Sequence, residues 1–428
     1  MKKILIICLV LIIVLFLYKS FPKGKSSNEI SLNDLEKILS SVNKDKIASV
    51  SKWTIYGKYF NVEGEITNVS SYDKIVLVLK SMNNEVEYPL NITKTQDTIS
   101  FKTNKYINEG INLEKMAINK YILLLKVIDN NNTNYYNLTN NTDYENLDYW
   151  TISKNDKHNN IIIDFKKNES YEFMEMKVEA KELPSDVYDI VLDPGHGGVD
   201  SGAYNGSELE KNYNLSYAKA LKETLENMGL RVKLTREDDV LIKNYGYASR
   251  TGIPYEAKAK LMLSLHLNSG IGDIGHGGVE VYIANGDKHD FAKLIADNIV
   301  SKTTSEYSKN GNNRILDGVY MRTYKKNDIL AINKEAKENS WVPYEKMDYN
   351  TTYYYFIRET GGIITTALTD GRNPKYDKNP YYLSNHGVEA YLIELGYISN
   401  NYNLKQIKEE RANYVKAIAD SIKSYIEN

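Results

Sequence analysis

Apolar positions along this chain follow one of two periods, and the period changes once. From Trp53 to Ala180 they recur at every second residue in short runs: Phe60, Val62 and Ile66; Val86, Tyr88 and Leu90; Met174, Met176 and Val178. Less regular apolar runs lie at 75–79, 121–128 and 161–165, with Asn-rich turns such as Asn83-Asn84 between them. A two-residue period broken by turn signals predicts short strands with one buried face. Residues 51–182 are therefore expected to form an all-β, Ig-like sandwich. After Leu183-Pro184-Ser185 the pattern becomes one of strands alternating with helices. Strands are predicted at 188–192, 232–234, 261–267, 279–283 and 390–395, and helices at 212–228, 291–300 and 404–426. In the first helix Leu215, Ala218, Leu221, Leu225 and Met228 share a face, and Gly229 stands where a helix terminator belongs. Residues 186–428 thus read as an α/β domain.

A third pattern occupies the N-terminus, where an unbroken apolar run from Ile4 to Tyr18 lies between Lys2-Lys3 and Lys19. A helix from Ile4 to Phe21 would be about 27 Å long. That approaches a hydrocarbon core of about 30 Å, and the flanking lysines can reach the headgroups. No small-residue cleavage site follows, so residues 1–27 are expected to be an uncleaved single-pass membrane anchor. Lysines at both ends leave its orientation open. Helical spacing of Ile30, Leu32, Leu35, Ile38 and Leu39 makes 28–50 an expected stalk.

Composition narrows the choice of chemistry. The 428 residues suffice for two cores. With 54 basic against 56 acidic residues, a net charge of −2 and no long basic run, nucleic acid is excluded as a partner. The single cysteine, Cys8, lies inside the N-terminal apolar run, which rules out a disulfide framework and a thiolate metal site. Any metal must be held by His, Asp or Glu.

Four such residues stand out in the α/β half. His196 follows the first strand in Asp193-Pro194-Gly195-His196-Gly197-Gly198, where glycines on both sides permit a sharp turn and Asp193 is placed to orient the ring. His266 ends an apolar strand, a position that suits a ligand and a backbone-bonded core histidine equally. Glu210 closes Ser207-Glu208-Leu209-Glu210, which fits a helix capping box; a first-turn carboxylate also projects toward a sheet end, and Glu208 is its rival. Glu394 is embedded in an apolar strand, where an ionisable group is costly unless paired or functional. His196, His266 and Glu394 all fall at or just past strand ends, where open α/β sheets gather ligands. Other features carry less. The glycines of 270–275 match a dinucleotide fingerprint but lead into a strand, not a helix. His158 reads as a solvated loop residue, and His276, His289 and His386 as loop or surface residues, with His276 and His386 near the pocket as the alternative.

Val191–Gly198, Glu210-Lys211 with Leu215 and Ala218 behind it, Ser264–Asn268 and Ile393–Asn400 together resemble, in order, the four signature segments of zinc-dependent N-acetylmuramoyl-L-alanine amidases. The resemblance covers about 186–428. It implies an amidase-like mixed sheet flanked by helices, Zn2+ held by His196, Glu210 and His266, and Glu394 as the catalytic glutamate. The implied substrate is peptidoglycan, cut at the amide between the lactyl group of N-acetylmuramic acid and L-alanine. A wall substrate would place the body of the chain outside the cell membrane. The β domain, on which the resemblance is silent, is expected to act as a spacer or to meet a wall component or protein activator. Two insertions depart from the family pattern. The one near 325–350, with Glu335, Glu338, Trp341 and Glu345, reads as a partly helical lid or, equally, as a surface elaboration. The one near 363–384, with Tyr354, Arg358, Asp370, Arg372, Tyr381 and Tyr382, reads either as an extension of the groove for glycan or peptide or as packing residues. The competing readings are a non-catalytic peptidoglycan-binding or regulatory protein and a zinc hydrolase such as an amino-sugar deacetylase.

Overall fold

The computed structural model describes residues 37–39, 42, 46–69, 71–130, 132–152, 158–167, 172–270, 277–340, 349–365, 380–381 and 384–428. The expected membrane anchor at 1–27 lies outside them. Among the described residues no helix is long and apolar enough to cross a membrane.

The two-residue period of the first half does fold into strands. Met174, Met176 and Val178 of the strand Glu172–Lys181 point into a core shared with Trp53, Phe60 and Val62. Among the described residues the twelve strands of this half, with His386-Gly387 of the C-terminal domain as a thirteenth, form one continuous hydrogen-bonded sheet, not the two separate sheets of the expected Ig-like sandwich. Continuity comes from the long strand Asn119–Asp129. Its first half pairs with Glu172–Lys181 and its second with Asn132–Asn140, while Lys74–Lys80 runs along its other edge. Leu123 and Leu125 face the main core, whereas Ile122 and Leu124 face the opposite side and are covered by Ile38, Leu39 and Val42. The expected stalk at 28–50 lies partly outside the described residues; of those described, Ile38, Leu39 and Val42 cap the sheet, and Ile47 already opens the strand Ile47–Tyr56. His158 also departs from its expected loop: it begins the strand His158–Lys167, with Nδ1 3.1 Å from the Thr151 carbonyl.

In the C-terminal domain the strands, labelled within that domain, are β1 (Ile190–Pro194), β2 (Val232–Leu234), β3 (Leu261–Asn268), β4 (Glu280–Tyr282), β5 (Arg314–Leu316), β6 (Val319–Tyr320) and β7 (Glu389–Tyr397). They form a seven-stranded sheet in the order β2-β1-β3-β7-β4-β6-β5. Pairing is parallel from β2 through β7 and antiparallel between β7 and β4, so the sheet is mixed. The helices α1 (Glu210–Asn227), α2 (Asp290–Lys302), α3 (Asn401–Glu409) and α4 (Arg411–Glu427) contribute to a core with Tyr391, Ile393 and Leu395 of β7. Ala390 and Leu392, on the other face of the same strand, pack with Tyr282 and Phe356. Burial on both faces explains why β7 reads as an unbroken apolar run. The single terminal helix expected at 404–426 is instead two helices meeting at Glu410, the first capped by the Asn400 side chain, which accepts from the Tyr402 and Asn403 amides.

The two domains share backbone. His386-Gly387 pairs in parallel with Ile55-Tyr56 of the β domain, and Asn108 Nδ2 donates to the buried Glu389 carboxylate at 3.2 Å. His386 thus belongs to this junction and does not line the pocket; burial pushes its pKa down to about 4.

Candidate active site

β1 ends at Pro194, and the chain turns through His196, Gly197 and Gly198, all at positive φ. A Cβ at Gly197 would lie 2.3 Å from the Val240 carbonyl, so the close approach of that loop requires glycine. The turn folds the following residues back: Gly197 and Asp200 exchange backbone hydrogen bonds of 2.9 and 3.1 Å. This places Asp200 Oδ2 2.8 Å from His196 Nδ1. The orienting carboxylate is therefore Asp200 and not Asp193. Asp193 points into the sheet, where it accepts from Thr235 Oγ1 at 2.6 Å, Ser264 Oγ at 2.7 Å and Arg250 Nη1 at 2.5 Å.

With Nδ1 engaged by Asp200, His196 Nε2 faces inward, 3.2 Å from Glu210 Oε1. Glu210 gets there by helical geometry. The buried stripe of α1 runs Glu210, Asn214, Tyr217, Ala218, Leu221 and Leu225, so the carboxylate lies on the same face as the core leucines. It does not form the expected capping box. The N-cap is Leu209 without a side-chain cap, because Tyr204-Asn205 and Glu208-Leu209 pair as a small hairpin that takes up Ser207 in its turn. Glu210 instead accepts from the Ala203 amide at 2.8 Å and the Leu267 amide at 3.0 Å, and its Oε1 lies 2.9 Å from His266 Nδ1. Glu208 turns away to the surface, where Lys408 Nζ donates to it at 2.6 Å.

One potential ligand atom each from His196, Glu210 and His266 lies within 4.8 Å of the others. Burial works against the Glu210 charge, but the two histidines outweigh it and hold its pKa well below the usual range. Burial likewise opposes a charged His196, and Glu210 with Asp200 outweigh it in turn, raising its pKa. Two imidazoles and one carboxylate are the donor set of many catalytic zinc sites. The backbone leaves room for nothing bulkier around them. A Cβ at Gly195 would lie 2.2 Å from His266 Cε1, and one at Gly202 would lie 2.5 Å from both Glu210 Oε2 and His196 Cδ2.

Glu394 lies beside this trio, in register with His266 on one side and Glu280 on the other. Its Oε2 is buried without a hydrogen-bond partner, and burial, then Glu210 and Glu280, raise its pKa well above the carboxylate range. Glu280, which the sequence reading passed over, is the opposite case. It accepts from Asn268 Nδ2, Tyr282 OH, Ser308 Oγ and Tyr397 OH at 2.6–3.0 Å, so its carboxylate is fully engaged. Of two buried glutamates on adjacent strands, only Glu394 has an oxygen left for chemistry.

Residues 190–338 match the family model of N-acetylmuramoyl-L-alanine amidases. Residues 190–338 thus form an N-acetylmuramoyl-L-alanine amidase domain. The matched stretch contains His196, Glu210 and His266, while Glu394 lies beyond it and rests on its geometry. Over 241 residues the chain is 28% identical to a Staphylococcus aureus protein described as a probable cell wall amidase, LytH; the match covers 55% of this chain and 57% of that protein. Among solved structures, the N-acetylmuramoyl-L-alanine amidase AmiC2 of Nostoc punctiforme is similar at 21% identity, over 57% of this chain and 99% of that one, with a TM-score of 0.38. Cwp6 from Clostridium difficile is similar at 25% identity, over 56% and 29% respectively, with a TM-score of 0.36.

His196, His266 and Glu394 line a cavity of about 940 Å³ in the C-terminal domain, together with Leu241–Asn244 and with Tyr324 and Tyr353–Phe356, while Glu210 is buried behind the two histidines. The insertion near 325–350 does contain a helix, Lys326–Glu338, but none of the insertion's described residues lines the cavity, and Glu335 and Glu338 are exposed. Its Ile329 packs against Tyr324 beside the pocket. Trp341 and Glu345 lie outside the described residues. Tyr354 and Arg358 line the cavity, whereas Tyr381 stacks on Tyr255 with ring centroids 4.2 Å apart. Asp370, Arg372, Tyr382 and His276 lie outside the described residues.

The glycine cradle of the amidase domain makes a direct prediction. Gly202 has φ +65°, and an added methyl would collide with two of the three potential ligands at once. If a metal is held there, Gly202→Ala is expected to weaken its binding by about 10–100-fold, the range for supporting residues of metal sites. Chelator competition on the folded variant measures it, and an affinity equal to wild type would show that the cradle is slack.

Proposed function

We propose that this chain is a peptidoglycan amidase that hydrolyses the bond between N-acetylmuramic acid and L-alanine, using zinc held by His196, Glu210 and His266. The observation that carries this reading is the convergence of three potential metal-ligand side chains, two of which, His196 and His266, line the same cavity as Glu394 with its buried, unpartnered carboxylate oxygen. Zinc in such a donor set supplies a Lewis acid for the scissile carbonyl and for water. The protein supplies the rest. Asp200 fixes the His196 ring so that Nε2 is presented inward. Glu394 takes the proton from the attacking water and passes it to the leaving amide nitrogen. Its burial beside Glu210 and Glu280 raises its affinity for the proton it receives, while a bound dication acts in the opposite sense and favours the ionised form that starts the step. The aromatic wall of Tyr324 and Tyr353–Phe356 offers apolar faces to a glycan or stem peptide.

The apolar run from Ile4 to Tyr18 supports anchoring in the cell membrane by a single span, with the amidase domain on the outer side where peptidoglycan lies. The β domain then stands between membrane and enzyme as a spacer or a contact surface for a wall component or activator.

The test is digestion of purified peptidoglycan by the full chain in detergent, with zinc and with a chelator, followed by mass spectrometry. Zinc-dependent release of intact stem peptides is the expected result. Acetate release without peptides would make the enzyme a deacetylase. Stoichiometric zinc without any cleavage would make it a wall-binding protein.

A further inference from the structure

We propose that Arg250 and Arg236 are positioning residues for the metal site, and that they fix the left-handed turn presenting His196 by holding the carbonyls of three consecutive residues. The inference rests on the zinc-site reading above. Where β1 ends, the Pro194, Gly195 and His196 carbonyls run out of strand partners, and each buried carbonyl needs a donor. Arg250 Nη1 donates to Pro194 at 3.0 Å and its Nη2 to His196. Arg236 Nε donates to Pro194 at 3.0 Å and its Nη2 to Gly195 at 3.0 Å. Both side chains are buried, and Arg250 is anchored by its ion pair with Asp193. That anchoring is the use the fold makes of Asp193.

The second arm of Arg236 extends the argument from one ligand to two. Its Nη2 also donates to the Lys211 carbonyl at 2.9 Å. A single nitrogen therefore ties the residue before His196 to the residue after Glu210. Asn214 Nδ2 repeats the bridge at longer range, 3.3 Å from both the Gly195 carbonyl and Glu210 Oε1. The distance between the two ligands is thus set by guanidinium geometry as well as by the loop 197–209 that joins them in sequence. Only a planar fork can serve several carbonyls at once; a lysine ammonium carries the same charge on one point.

Replacing either arginine by lysine keeps the charge and removes the fork. Zinc alone is the probe, titrated into the full chain against a competing chelator well below the melting temperature, with stem-peptide release followed as a function of zinc. Arg250→Lys and Arg236→Lys are each expected to weaken zinc binding by about 10–100-fold, with release lost at low zinc and recovering as zinc is raised. A purely structural role would lower the melting temperature of the zinc-free protein and leave the zinc affinity of the folded protein unchanged, and that outcome overturns the inference. Arg236→Lys leaves the buried Asp193–Arg250 pair intact and carries the test where Arg250→Lys does not fold. Wild-type protein that binds no zinc would instead overturn the site reading itself.

Discussion

Replacing Glu394 with glutamine is expected to lower stem-peptide release by about 10²–10⁴-fold, the usual contribution of a general acid-base, while zinc remains bound. The substitution preserves shape and removes only the ability to carry a proton. Three facts make it a clean experiment. Glu394 is not among the three residues whose ligand atoms converge, so metal content should not change. Its Oε2 has no hydrogen-bond partner, so no internal donor is orphaned by the change at that atom. Burial and the neighbouring Glu210 and Glu280 already favour its neutral form, so a neutral amide should be tolerated in the fold. Zinc content by elemental analysis and released peptides by mass spectrometry decide the matter together. A zinc-loaded glutamine variant with wild-type turnover would place the base elsewhere.

The parts of this site that were legible in the sequence are those written in local pattern. β1, β3 and β7 are apolar runs, and a polar residue ending or interrupting each one, His196, His266 and Glu394, is conspicuous against that background. Glu280 had the same signature, an acid at the start of an apolar strand, and the argument applied to Glu394 would have found it. The failures share a different cause. Ser207–Glu210 satisfies the local chemistry of a capping box, but pairing of Tyr204-Asn205 with Glu208-Leu209 settles the backbone first. Asp193 and Asp200 are both near His196 in sequence. Which of them meets the ring depends on the left-handed turn at 196–198, and that turn is held by Arg236 and Arg250 some 40 to 54 residues on. The break at Glu410 is invisible because apolar spacing continues through it on both sides, from Leu404 and Ile407 to Tyr414 and Ile418. The joining of the two domains through His386-Gly387 and Ile55-Tyr56 links residues more than 300 positions apart, which no local period can encode.

Glu210 and Glu208 were rivals on sequence grounds, and their alanine variants are expected to separate completely. Glu210→Ala should weaken zinc binding by more than the roughly 100-fold upper range for supporting residues, because it removes a ligand outright. It also leaves the Ala203 and Leu267 amides without their acceptor, takes the carboxylate from beside His266 and leaves His196 with Asp200 alone. Glu208→Ala removes a surface contact to Lys408 and Tyr213 and should leave zinc affinity unchanged. The pH dependence follows from the same contacts. A depressed carboxylate pKa means that the Glu210 charge stabilises the zinc-free fold above the ordinary carboxylate range, and this contribution is lost as pH falls through the depressed value. A raised His196 pKa means that protons compete with zinc at higher pH than for a free imidazole, so zinc affinity should fall as pH drops through that raised value. Chelator competition across pH on wild type, Glu208→Ala and Glu210→Ala reads both effects. Zinc retained by Glu210→Ala and lost by Glu208→Ala would move the carboxylate ligand from the buried helix face to the surface hairpin, against the direction in which α1 points it.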